Sequence, residues 1–147
     1  MSDAIVRVGP SPAWKTPGLL WLMLGTDVGF VLYWLVSALH LLPPQWLFAH
    51  YDDPILTAWN WSFLPLDLLV SASATRAIHT RRRASFESEP WLLIALTCTS
   101  VSGLMAIAFW SLRREFDPGW WGFNLFLLLW PLPYLAKIVG RAAAPVQ

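Results

Sequence analysis

AWNWSFLPLDLLVSAS, residues 58–73, is the stretch on which the reading of this chain turns. It is apolar enough for a membrane helix, yet it carries Asn60, Pro65 and Asp67. Each is costly in hydrocarbon. Proline removes a backbone donor, and an amide or carboxylate gives up water. Such residues are expected where they face other helices, a cavity or a partner. Pro65 leaves the carbonyl of Trp61 without its helical donor and predicts a kink near the middle of the segment.

The rest of the chain supports lipid as the solvent. Charged residues are 13% of the 147, against about 25% in an ordinary soluble domain. Tryptophan occurs 11 times, and its amphipathic ring suits membrane interfaces. Apolar runs predict four spans, at about 18–42, 55–75, 91–112 and 119–139. A run of about 20 residues crosses the ~30 Å hydrocarbon core. The fold class is therefore an all-α membrane protein, a four-helix up-down bundle. Residues 1–17 read as a flexible cytoplasmic tail, 18–139 as one transmembrane domain and 140–147 as a short tail. A cleaved signal peptide is disfavoured for the first run, which is too long and contains Asp27.

Orientation follows from lysine and arginine. Arg7, Lys15, Arg76, Arg81, Arg82, Arg83, Lys137 and Arg141 fall on one side, and Arg113 and Arg114 on the other. Both termini are therefore expected in the cytoplasm. The arginine run reads as an orientation signal and headgroup contact, and no nucleic acid is implied. Cys98 stands alone, so no intramolecular disulfide can form. His40, His50 and His79 lack metal or haem spacing, and no phosphate loop or nucleophile elbow occurs. No metal or cofactor is expected. No internal sequence repeat is found.

The polar residues predict a layer. Counting from the expected span centres at 1.5 Å per residue, Asp27 and Asp67 come out at nearly one depth, about 3–5 Å cytoplasmic of the midplane. Asn60 and Asn124 come out about 7–8 Å on the outer side. At 100° per residue, Thr57, Asn60, Asp67 and Ser71 form one stripe. Ser102 and Ala106 make a small-xxx-small pair suited to close packing. Most other serines and threonines are expected to bond backbone carbonyls or neighbouring helices. Trp46, Trp59, Trp61, Trp120 and Trp121 read as outer-interface anchors, with Trp34 and Trp130 as pocket candidates. Asp52 and Asp53 read as solvated loop residues. The candidate acid–base pair is Asp27 and Asp67, with Asn60, Asn124, Trp34, Ser71 and Thr57 as the substrate-binding set. Two facing carboxylates would share a proton.

TDVGFVLYW (26–34), SALHLLPP (37–44), PILTAWNWSFLPLDLLVSAS (54–73), SGLMAIAFW (102–110) and FDPGWWGFNLFLLLWPL (116–132) together resemble the YvaD-like family of small bacterial four-helix membrane proteins. The resemblance covers about residues 20–135. It implies a bacterial inner-membrane location and no particular activity. In general plan the chain also resembles sterol isomerase-like proteins and integral membrane terpene cyclases, an analogy of fold alone. There a buried acid and aromatic faces act on a hydrocarbon.

Three functional classes follow. The first is an intramembrane site that binds, or acts by acid–base chemistry on, an apolar or isoprenoid-like molecule. As an enzyme it would be of isomerase or cyclase type. The second is a small proton-coupled transporter or efflux subunit, of the kind that assembles as a homodimer. The third is a structural or accessory subunit in which the polar layer specifies helix pairing. The expected partners are the lipid bilayer and a lipophilic small molecule.

Overall fold

The computed structural model describes residues 12–43, 46, 50–81 and 85–143. Arg7, Arg82, Arg83, residues 1–11 of the expected N-terminal tail and 144–147 of the expected C-terminal tail lie outside them. A 3-10 turn, Pro12–Lys15, precedes six helices: α1 Leu19–Ala38, α2 Pro54–Trp61, α3 Leu64–Thr80, α4 Ser85–Arg113, α5 Pro118–Leu129 and α6 Leu132–Ala142. No strand occurs among the described residues.

Among the described residues three segments are long and apolar enough to cross a membrane: Leu19–Ala38, Ser88–Arg113 and Pro118–Ala142. The expected second span is instead two helices. Pro65 has no N–H to give the Trp61 carbonyl, and the helix breaks at Ser62 and Phe63 just before it. Ser62 donates its hydroxyl to the Trp59 carbonyl at 2.6 Å. Ser62 and Phe63 keep right-handed helical backbone angles, so α3 continues from α2 rather than turning back. Trp130 and Pro131 make a similar break between α5 and α6.

The stretch 76–90, expected to be a loop, is mostly helix. α3 runs on to Thr80, and α4 has begun by Ser85. Arginine, alanine and glutamate are good helix formers, and the end of an apolar run does not end a helix. At the other end α1 stops four residues before the expected boundary. His40 takes a left-handed backbone (φ 53°), and the Leu41 N–H bonds the Val36 carbonyl at 3.1 Å. This closes the helix in a Schellman motif. Arg114 (φ 57°) does the same for α4, with Glu115 N–H on the Trp110 carbonyl at 3.1 Å.

α4 is the central rod, packed on α3 along one side and on α5 along the other, with α1 against α3. Thr16–Lys137, Trp14–Ser88 and Arg141–Glu89 contacts gather at one end of the bundle, here the terminal end. A cluster around Leu19, Met23, Ala77, Leu92, Leu96 and Ile138 fills it. The opposite, connection end carries the α1–α2 and α4–α5 links. There His50 and Arg113 both bond Glu115. Arg113 beside Glu115 holds that carboxyl below its usual range, with His50 adding to the effect. The outward side of α1 leaves Trp21, Val28, Val31, Leu32 and Leu35 exposed. Its inward stripe is Leu19, Met23, Thr26, Phe30, Trp34 and Ser37.

The helices that start at the connection end do so on Asp-Pro pairs. Asp53 Oδ1 accepts from the N–H of Ile55 (2.8 Å) and Leu56 (3.3 Å). Asp117 Oδ1 accepts from Trp120 N–H at 2.8 Å. The following proline occupies the first helical position, where its missing N–H costs nothing. Asp53, expected to be a solvated loop residue, is thus a helix cap. Asp53→Ala is expected to cost about 1 kcal/mol and Asp53→Asn much less. Reversible unfolding in mixed micelles reads the difference, and equal losses would refute the capping account.

Candidate functional site

The two capped helices share more than their first residues. Asp53-Pro54 is followed by Asn60 and Asp117-Pro118 by Asn124, each asparagine seven residues after its aspartate. An aromatic residue, Trp59 or Phe123, precedes it. Seven residues are two helical turns, so each asparagine returns to the face of its cap. Reading for long repeats misses this short one. Its structural consequence is that two amides, both buried, face a common space.

That space is a cavity of about 560 Å³ between α1, α2–α3, α4 and α5. Phe30, Tyr33 and Trp34 line it from α1, and Trp59 from α2. Trp120 and Phe123 of α5 form the facing wall. Ser102 and Ala106 of α4, too small to fill the space, form its back. The small-xxx-small pair therefore leaves room for the cavity. The tight helix contact falls next door, at Gly103, where a Cβ would lie 2.4 Å from the Asn124 carbonyl oxygen. Ser100 donates to the Leu128 carbonyl across the same α4–α5 seam at 2.7 Å.

Asp67 lies deep in the cavity, 5% exposed. Trp34 Nε1–H donates to its Oδ2 at 2.9 Å, and Ser102 hydroxyl donates to its Oδ1 at 3.3 Å. Residues of α1 and α4 thus grip one carboxylate of α3. Two turns nearer the connection end, Tyr33 hydroxyl donates to Asn60 Oδ1 at 2.8 Å. Asn60 Nδ2 is buried with no partner. Asn124 Nδ2 donates to the Trp120 carbonyl at 2.8 Å, within its own helix. Asp117 lines the cavity at the start of α5.

Four of the expected residues meet here: Asp67, Asn60, Asn124 and Trp34. Three do not. Asp27 lies against the Ser71 side chain, with its Oδ1 buried and unpartnered, and neither residue lines the cavity. Ser71 is one turn beyond Asp67 on α3. The Asp27–Ser71 and Trp34–Asp67 contacts set the antiparallel register of α1 on α3 and give each carboxylate its own partner. Thr57 turns to the Tyr51 carbonyl at 3.1 Å. The break at Ser62 and Phe63 interrupts the regular helix on which a single Thr57–Ser71 stripe depends.

Among the tryptophans the expectation splits. Trp34 lines the cavity, but so do the expected anchors Trp46, Trp59 and Trp120. Trp130 packs instead against the terminal-end cluster beside Tyr134. Thr99, Thr80 and Ser111 bond carbonyls of their own helices, at 2.8, 2.8 and 2.6 Å. Tyr33 and Ser102 carry hydroxyls into the site from apolar runs, and only the folded register reveals them. Among the described residues no group of three or more His, Cys, Asp or Glu could hold a metal ion.

The family of unknown function DUF5360 matches residues 19–144. This chain belongs to the DUF5360 family. A Bacillus subtilis (strain 168) relative, "Uncharacterized protein YvaD", is 43% identical over 122 residues, covering 83% of this chain and 92% of the relative. This agrees with the YvaD-like strings read from the sequence. No solved structure matches the chain. The cavity residues Phe30, Trp34, Asn60, Asp67, Ser102 and Asn124 all fall inside the segment that matches DUF5360.

Proposed function

We propose that this DUF5360 protein holds an apolar or amphipathic small molecule in an intramembrane cavity, with Asp67 as the reactive or recognising group. The observation that carries the reading is an aromatic-walled space of about 560 Å³ with a buried carboxylate deep inside it. Ligand sites are mostly apolar clefts of about 300–1,000 Å³ with a few placed polar groups. A buried membrane carboxylate without a role would be an expensive residue. Asn60, with an unused N–H, is the orienting amide, and Trp34 fixes the carboxylate. In an acid–base reaction on a hydrocarbon, isomerisation or cyclisation in type, Asp67 is the acid or base. Asp27 then steadies α1 on α3 through Ser71.

In this reading the α2–α3 pair crosses the bilayer as a broken span, giving four crossings with both termini in the cytoplasm of a bacterial inner membrane. The lysines and arginines gathered at the terminal end support that orientation. A second reading, a proton-coupled transporter, is favoured by one feature. The Pro-interrupted pairs α2–α3 and α5–α6 stand in corresponding places of the two halves, as discontinuous helices do at transporter sites.

Native mass spectrometry of the purified protein tests the proposal. Wild type is expected to retain a lipophilic small molecule that Asp67→Asn loses or exchanges. Identical bound material in both, with both folded, would sink it.

A further inference from the structure

We infer that the molecule the cavity selects is a cation: an organic ammonium or comparable positive group carried on an apolar body. This rests on the binding-site reading above and adds the sign of the ligand's charge. Among the described residues lining the cavity, the ionisable acids are Asp67 and Asp117, and lysine, arginine and histidine are absent. Asp67 takes part in none of the ion pairs among the described residues. Its partners are the neutral donors of Trp34 and Ser102. A carboxylate left without a counter-charge in a low-dielectric interior is costly, and its field there is strong. An entering cation would supply the missing charge.

The walls point the same way. Tyr33, Trp34, Trp59 and Trp120 surround the space with aromatic rings, whose faces are negative and attract ammonium groups. The Trp34 N–H is turned to Asp67, so ring and carboxylate act on one small volume. An anionic amphipath would meet like charge from Asp67 and Asp117 and find no basic residue in the lining. At the connection end Arg113 and His50 both bond Glu115, and neither they nor Arg114 line the cavity. Asp117, near the start of α5, places a second negative charge on the lining nearer the connection end.

The test uses the full chain in nonionic detergent and three probes of one size: phenylpropyl-trimethylammonium, its uncharged isostere with carbon replacing nitrogen, and a carboxylate of equal length. Calorimetry and tryptophan fluorescence give the dissociation constants. The ammonium probe is expected to bind wild type at least about tenfold more tightly than the isostere, and the carboxylate not at all. Asp67→Asn should erase the preference of ammonium over isostere. Asp67→Glu, which keeps the charge, should retain it. If the isostere or the carboxylate binds wild type as tightly as the ammonium, the charge assignment is overturned and the cavity reading stands. Survival of the preference in Asp67→Asn overturns it likewise. The wild-type comparison decides the matter even if Asp67→Asn fails to fold. If none of the three probes binds wild type, the cavity reading itself falls.

Discussion

Gly103→Val is expected to abolish the folded bundle, and Gly103→Ala to weaken it severely. At Gly103 a Cβ would stand 2.4 Å from the Asn124 carbonyl oxygen, 2.5 Å from the Leu128 nitrogen and 3.0 Å from the Leu128 Cα. All three atoms are backbone, so no side-chain rotation relieves the clash. α4 and α5 would have to separate. In lipid, helix association rests on close van der Waals fit rather than on hydrophobic expulsion, so lost contact is not offset by other burial. Overpacking commonly costs about 1–3 kcal/mol. The alanine variant should lie at or above the top of that range, and the larger valine beyond it. The damage would also spread to the site, because Asn124 and Leu127 line the cavity from the helix that must move. Ser102→Ala is the control. It is one residue away and equally buried, but its methyl is already accommodated. It should cost only the 3.3 Å bond to Asp67, about 1 kcal/mol. Unfolding in mixed micelles compares the three. A Gly103→Ala protein as stable as wild type would show that the seam is looser than its geometry.

Parts of this architecture are legible in the sequence for physical reasons. The runs that became α1 and α4 are apolar over a bilayer's length, and hydropathy finds them without knowing the fold. The interruption before Pro65 follows from one missing N–H. Asp67 stands out because a carboxylate in hydrocarbon requires an explanation. Other features depend on quantities that a single strand of letters does not carry. The axial register of α1 on α3 decides that Trp34, and not Asp27, reaches Asp67. The two lie seven residues apart on one face of α1, so rotation does not distinguish them, and Asp27 meets Ser71 instead. Tyr33 and Ser102 look like ordinary members of apolar runs until the register brings their hydroxyls to Asn60 and Asp67. The helical extension through 76–80 and 85–90 is hidden by its polarity, which marks where the apolar run stops rather than where the helix ends. The recurrence Asp-Pro-x5-Asn was present in the letters throughout. Helix-capping logic applied to both Asp-Pro pairs would have found it.

A double-mutant cycle on Trp34 and Asp67 should give the largest pairwise coupling in the protein. Trp34→Phe keeps a ring in the wall but removes the indole N–H that reaches Asp67 Oδ2 at 2.9 Å. Asp67→Leu removes the acceptor and leaves that N–H buried beside a hydrocarbon. Both groups are buried, with Trp34 7% and Asp67 5% exposed. Each single change therefore strands a polar group, at about 1–3 kcal/mol for a neutral donor and more for a charge. Trp34→Phe is the worse of the two, because Ser102 at 3.3 Å is then the remaining donor recorded for the carboxylate. The double variant strands neither group of the pair and should be more stable than the sum of the singles predicts. Hydrogen bonds to charged groups suggest a coupling of about 1.5–3 kcal/mol. Additive losses would show that Trp34 and Asp67 act separately. The same variants separate structure from recognition. If Asp67 serves only to anchor Trp34, the double variant should regain wild-type ligand retention along with its stability. If Asp67 recognises the ligand, stability should recover while retention stays lost.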